Sequence, residues 1–295
     1  MKTAKKKKTI SLVLGSGGAR GLSHIGVIRW LIEHDYQINA ISGCSIGALI
    51  GGVYAAGKLD EFEQWICEID RFEILSLLDL AWKSNGLVQG DKIINTLVKL
   101  LGDQQIQDLP IRYTAVAADI EKEKEVWINR GSLFEAIRAS ISLPLFFTPV
   151  LRNGVLLIDG GVLNPVPIAP IFNDNNDLSV AVNLGGVVAK TINPIEKEKK
   201  KIETTGFHMK VLQFISSFKE EKVDLTSKDW GAYDIANQAF DAMQSTIARQ
   251  KLAAYPADIV IEIARNACGT LEFDRAREMI DLGYQAAEQR FSTAT

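Results

Sequence analysis

The chain has 295 residues, 47% of them hydrophobic and 23% charged, with 33 Lys and Arg against 36 Asp and Glu and a formal net charge of −3. This is the make-up of a globular protein with room for a sizeable core, in one large α/β domain or two small ones, and it excludes a general basic field for nucleic acid. Cys44, Cys67 and Cys268 are too few and too scattered for a disulfide framework, and His24, His34 and His208 share no metal-ligand spacing, so neither metal nor cofactor is expected.

The chain opens on Lys2 and Lys5 to Lys8, followed by an apolar run, Ile10–Leu14, too short for a signal peptide. No stretch approaches the ~18–20 apolar residues of a membrane span. A cytoplasmic protein is expected, its tail at 1–9 either solvated or in weak peripheral contact with an anionic membrane surface. Ile10–Leu14 reads as a buried strand, and Gly21–Asp35 has helical spacing through Leu22, Ile25, Ile28 and Leu31. Ile38–Ser42 reads as a second strand, and Ile46–Ala56 as a helix apolar or small on all sides, as a helix inside an α/β core would be. Strand, helix, strand, helix predicts a mainly parallel sheet covered on both faces.

Residues 59–109 read as mostly helical, with a loop at 84–92 and Asp91 placed to cap a helix over Lys92–Leu101. Strands are predicted at 111–120 and 125–129, and a short helix at Leu133–Ser140. Residues 154–168 read as a strand running into a glycine turn and a proline-rich connection. Strands at 178–184 and 258–263 follow, and Asp274 is placed to cap a closing helix to Arg290. Residues 187–229 break the rhythm. Their first part, "EKEKKK", reads as a solvated loop. In 206–222, Phe207, Val211, Phe214, Ile215 and Phe218 share a helical face that either packs on the core or forms a lid or interfacial helix near an apolar substrate. There is no internal repeat.

Three short motifs carry chemistry. "GCSIG" (43–47) has the G-x-S-x-G pattern of a nucleophile on a sharp strand-to-helix turn, with Gly43 and Gly47 letting the two backbones approach; a tight connection that happens to hold Ser45 is the plain alternative. Cys44 is a rival nucleophile, but the glycine spacing centres on Ser45. "GSGGARG" (15–21) fails the dinucleotide fingerprint because Arg20 stands where Gly is required and no acidic residue ends the second strand. It suits an anion trap in which the N–H groups of Gly17 and Gly18 turn towards an oxyanion at a helix start. Arg20 then orients the loop, meets a phosphate, or forms an ion pair at the helix start. In "IDGG" (158–161), Asp159 ends an apolar strand. It is either a carboxylate at the ligand-binding end of a parallel strand or a turn-former before Gly160 and Gly161. Together the motifs supply a nucleophile, an anion trap and a base, the parts of acyl transfer.

In this order, "GSGGARG", "GCSIG" and "DGG" resemble the patatin-like phospholipases, and "HIGVI" (24–28) and "ASISLPLFFTPV" (139–150) resemble the bacterial members. The resemblance covers about residues 10–172; 173–295, with the insertion at 187–229, is read as the rest of the same domain. It implies a three-layer α/β/α hydrolase with a Ser–Asp dyad, Ser45 and Asp159, Gly17 and Gly18 in the oxyanion loop, Gly15, Arg20, Gly21, Gly43, Gly47, Gly160 and Gly161 in support, no catalytic histidine, and a lipid or other acyl ester as substrate. Ser16 departs from the pattern, since many relatives carry glycine there. A triad would need a histidine after Asp159, and only His208 follows it, inside the charged insertion. An aspartate at its ordinary pKa of ~3.9 is a weak base for a hydroxyl, so either desolvation raises it or proton transfer is concerted with attack. The alternative function is non-catalytic binding of a phosphate, nucleotide or lipid at loop 15–21.

Overall fold

The computed structural model describes residues 7–77, 90–144, 146–189 and 232–293. Two compact units are distinguished, 1–189 with 240–295, and 190–239. Every motif residue belongs to the larger; of the smaller, 232–239 are described, as the first residues of a helix. The apolar face expected at 206–222, His208, most of the lysine tail and most of the loop at 84–92 lie outside the described residues.

The larger unit is built on an eight-stranded sheet. Strands β1 (Lys8–Leu14), β2 (Tyr36–Cys44), β3 (Arg112–Asp119), β7 (Leu178–Gly186) and β8 (Ile259–Ala264) pair in parallel, in the order β3-β2-β1-β7-β8. Three antiparallel strands complete it. β4 (Lys124–Ile128) and β6 (Val155–Asp159) both pair with β3, and β5 (Val150–Arg152) pairs with β6. The sheet is therefore mainly parallel, as expected, but Asp159 does not end a parallel strand. "VLLID" has the same apolar pattern whichever way it runs, and its direction is set by β3.

Alternation along β1 sorts the core onto two faces. Leu12 and Leu14 join the large cluster under α1 (Ser23–Glu33), α2 (Ile46–Ala55) and the last helix. Val13 points the other way, into a smaller cluster with Val166, Ile168, Ile171, Ala181 and Ala248. Helices α3 (Leu59–Glu68), α4 (Arg71–Leu77), α5 (Asp91–Leu101) and α6 (Leu133–Ser140) lie between β2 and β5 in the chain. Two further helices are α7 (Ala232–Ala254), which the sequence reading left unassigned, and α8 (Ala276–Ser292). Two expected caps are corrected. Gly90, in the left-handed region at φ 69°, caps α5 and Asp91 falls in its first turn. Asp274 lies in a 3-10 turn, and Arg275 precedes α8.

α1 and α8 meet backbone to backbone. A Cβ on Gly26 would lie 1.9 Å from the Ile280 carbonyl oxygen, and one on Gly283 would lie 1.9 Å from that of Ser23. Beside this contact, α1 buries one imidazole completely. His24 Nε2–H donates to the Gly15 carbonyl at 2.9 Å, and Nδ1 has no partner among the described residues. Burial lowers the His24 pKa to about 4, although the hydrogen bond to Gly15 works in the other direction. The ring is therefore neutral at neutral pH.

Two measurements test this packing. Gly283→Ala should destabilise the protein by about 1–3 kcal/mol, read from urea unfolding, since the added methyl group meets main chain that has no rotamer to give. As pH falls, the unfolded chain takes up the His24 proton first, at ~6.5, and the folded chain only near 4. The contribution of His24 is thus full above ~6.5 and falls by about 3 kcal/mol by pH 4. Stability curves of wild type and His24→Gln should converge by that amount between pH 7 and pH 4; parallel curves would refute the assignment.

Candidate active site

The site forms where three strand ends meet. Gly43 and Gly47 flank Ser45 because their neighbours leave no room. A Cβ on Gly43 would lie 2.5 Å from the Gly47 carbonyl oxygen, and one on Gly47 would lie 2.1 Å from that of Leu14. α2 thus starts in contact with the ends of β1 and β2, and Ser45 turns the chain at φ 54°, ψ −128°, a conformation L-residues seldom adopt. The turn is held from below: Ser45 N–H donates to Ser140 Oγ at 3.0 Å, and Ser140 Oγ–H donates to the Val116 carbonyl at 2.6 Å. Cys44 is fully buried, its thiol donating to the Pro165 carbonyl at 3.3 Å, and burial pushes its pKa well up, so it is no thiolate.

Strand pairing brings Asp159 to Ser45. β4 occupies one edge of β3 from Ala115 to Asp119. β2, paired with Arg112 to Val116, and β6, paired with Ala117 to Asp119, must therefore share the other edge. Cys44 pairs with Val116 and Asp159 with Ala117, so β2 and β6 meet head-on where Ser45 turns away. Asp159 is completely buried. Its Oδ1 accepts the Gly161 N–H at 2.7 Å, its own N–H donates to the Ser142 carbonyl at 3.0 Å, and Oδ2 makes no hydrogen bond of standard geometry. Desolvation raises its pKa to about 7, against the opposing effects of the adjacent Ser45 hydroxyl and the Gly161 N–H. Gly160 packs on the Val116 carbonyl, 2.1 Å from where its Cβ would be.

The glycine loop closes the third side. Gly15 N–H donates to the Val182 carbonyl, Ser16 N–H to Pro165 and Ala19 N–H to Thr270. Gly17 and Gly18 lie between these anchors and before the first bond of the 3-10 turn Gly18–Leu22, so among the described residues their N–H groups are left unclaimed. Gly18 has φ 59° and packs on Thr270. Gly21 seats the Ile46 side chain, 2.2 Å from where its Cβ would be. Arg20 orients the loop and forms an ion pair at once. Its buried guanidinium donates to the carbonyls of Gly17 and Arg265 and pairs with Asp241 of α7 at 3.1 Å. It is thus committed away from any phosphate.

Gly18 and Ser45 open onto a pocket of about 860 Å³, counting its open mouth. Apart from Ser45 and Thr270, its described walls are apolar, from Leu22, Leu49, Phe62, Trp65 and Leu97 to Phe146 and Phe147, and no charged side chain lines it. Arg138, buried, braces the wall that holds Leu143, Phe146 and Phe147 through bonds to Ser142 Oγ, the Thr148 carbonyl and Asp91. Ser140, Arg138, Asp241 and Gln244 were not singled out from sequence, since their partners lie on other elements. His34 is exposed and stacks on Trp30. The described residues contain no group of three metal-ligating side chains and no helix long and apolar enough to cross a membrane.

The sequence has clear relatives among known proteins. The family model described as patatin-like phospholipase matches residues 12–172. An uncharacterized NTE family protein of Mycobacterium tuberculosis is 38% identical over 95% of this chain and 90% of its own length. Lysophospholipase NTE1 of Eremothecium gossypii is 33% identical over 62% of this chain, which is 12% of that much longer protein. Among solved structures, VipD from Legionella pneumophila aligns over 98% of this chain and 67% of its own, with a TM-score of 0.48 and 15% identity. With the family match spanning more than half of its length, the chain belongs to the patatin-like phospholipase family.

Proposed function

We propose that the protein is a serine lipid acyl hydrolase working through a Ser45–Asp159 dyad. One observation carries the reading: a serine on a strained turn stands at an apolar pocket, beside a buried carboxylate whose pKa is about 7. A carboxylate raised this far by burial lies close to working pH, which supports aspartate as the base without a histidine.

The Ser45 hydroxyl proton passes to Oδ2 of Asp159 while Oγ bonds to the ester carbonyl carbon. Oδ1 stays on the Gly161 N–H. The Gly17 and Gly18 N–H groups take the oxyanion, each donor contributing about 3 kcal/mol at the transition state. Collapse breaks the carbon–oxygen bond to the leaving alcohol, which takes the proton back from Asp159. A water then loses a proton to Asp159 as its oxygen bonds to the acyl carbon; collapse breaks the bond to Ser45 Oγ, which takes the proton back from Asp159, and the carboxylic acid leaves. The pocket receives the acyl chain, consistent with the lysophospholipase named among the relatives. The leaving alcohol is not specified by this geometry.

A fluorophosphonate probe followed by peptide mass spectrometry should place its adduct on Ser45; folded protein left unlabelled there would sink the reading. Ser45→Ala and Asp159→Asn should each reduce esterase turnover by at least 10³-fold, whereas His208→Ala keeps it. Loss of activity in the histidine variant would argue for a triad. Because only the ionised carboxylate is a base, kcat/KM should rise with pH through about 7. Because ionisation of the buried group is unfavourable, Asp159→Asn should stabilise the fold more at pH 8 than at pH 5.

A further inference from the structure

Ser16 lies within the first motif, and its side chain is engaged. Gln244, in the part of α7 that belongs to the larger unit, is buried and donates from Nε2 to Ser16 Oγ at 3.1 Å. Both atoms lie against one point of the backbone. A Cβ on Gly161 would lie 2.5 Å from Gln244 Nε2 and 2.6 Å from Ser16 Oγ. Gly161 is the residue whose N–H binds Oδ1 of Asp159 at 2.7 Å. The main chain of Ser16 is fixed separately, by its N–H to the Pro165 carbonyl at 2.8 Å. The side-chain bond thus has a use beyond anchoring the loop: it forms the seat on which Gly161 rests.

We propose that Ser16 and Gln244 are positioning residues that act as a unit, pressing Gly161 into place so that its N–H stays on Oδ1 and Oδ2 remains the proton acceptor. The inference rests on Asp159 being the base proposed above. A loosened Gly161 would donate less well to the carboxylate, and a carboxylate that loses an N–H partner becomes harder to ionise. Few other groups face Asp159. Cys44 at the end of β2 and Ser45 on the turn after it are the titratable or nucleophilic neighbours, and the thiol is neutral. Arg20 and Asp241, near Gln244, are paired with each other, and Glu125 of β4 is bound by Lys251, Asn164 and Trp127. Substitution at Gln244 by a residue of similar volume leaves all of these in place.

The test is the pH profile of kcat/KM on a soluble p-nitrophenyl ester from pH 5.5 to 9, for wild type, Ser16→Ala, Gln244→Met and the double variant. Methionine keeps the volume and removes the amide, so packing is largely conserved. The acidic midpoint should move up by about half to one pH unit in each single variant, and the double variant should move no further than either. Fluorophosphonate labelling of Ser45 at pH 9 should remain complete in all. Midpoints that stay with wild type in folded, labelled variants would overturn the proposal, and so would shifts that add in the double variant. Failure of the dyad itself would show differently, as wild type that is neither labelled at Ser45 nor active, and would overturn both.

Discussion

The main-chain contact between α2 and the ends of β1 and β2 is what the rest of the site depends on. Gly47 rests on the Leu14 carbonyl and Gly43 on Gly47, at separations that any side chain would forbid. With the helix this close, the chain has no length to turn gradually, and Ser45 takes up the whole change of direction at φ 54°. The same closeness places the start of α2 beside the glycine loop, where Ile46 fills the space left by Gly21. The strain of the turn, of order 1–3 kcal/mol, is held by burial around it and by the Ser140 bridge to Val116.

Around that turn the site keeps two environments apart. The pocket side carries no charge among the described residues, which suits a hydrocarbon chain and lowers the local dielectric. The opposite side is threaded with hydrogen bonds donated by Arg20, Gln244 and Ser16, the last to the Pro165 carbonyl. Asp159 sits at the boundary. Desolvation outweighs the effects of Ser45 and the Gly161 N–H, so its carboxylate ends near neutrality instead of at an ordinary aspartate value. His24 shows the same rule with the opposite sign: burial keeps it uncharged, and it serves the loop as a hydrogen-bond donor.

Much of this was legible in the sequence because the informative signals are local. Glycines two residues either side of Ser45, the glycine loop after β1 and the Asp-Gly-Gly turn are each set within a few residues. The parallel strands showed as short apolar runs. What escaped depends on partners far along the chain. The direction of β6 is decided by β3, about 40 residues earlier. β5 escaped for a different reason: at three residues it is too short to show an apolar pattern, although its partner β6 follows directly. Ser140 and Gln244 are ordinary polar residues until their neighbours at Ser45 and Ser16 are known. α7 is rich in alanine and polar residues and shows no strong apolar stripe, so its pattern gave no handle. The two aspartates expected as caps failed by a single position each, because Gly90 and Arg275 supply the backbone conformation that starts the helix.

One carbonyl group ties the three motifs together. The oxygen of Pro165 receives the N–H of Ser16, from the glycine loop, and the thiol of Cys44, from the residue before the nucleophile, and it belongs to the segment that leaves the Asp-Gly-Gly turn. During synthesis, Ser45 and the glycine loop therefore emerge long before the residue that joins them to the segment after Asp159. A chain cut before residue 165 keeps Ser45 and the glycine loop and lacks the carbonyl that both Cys44 and Ser16 bind. The three motifs are in this way tied together late, by the last of their segments to be made.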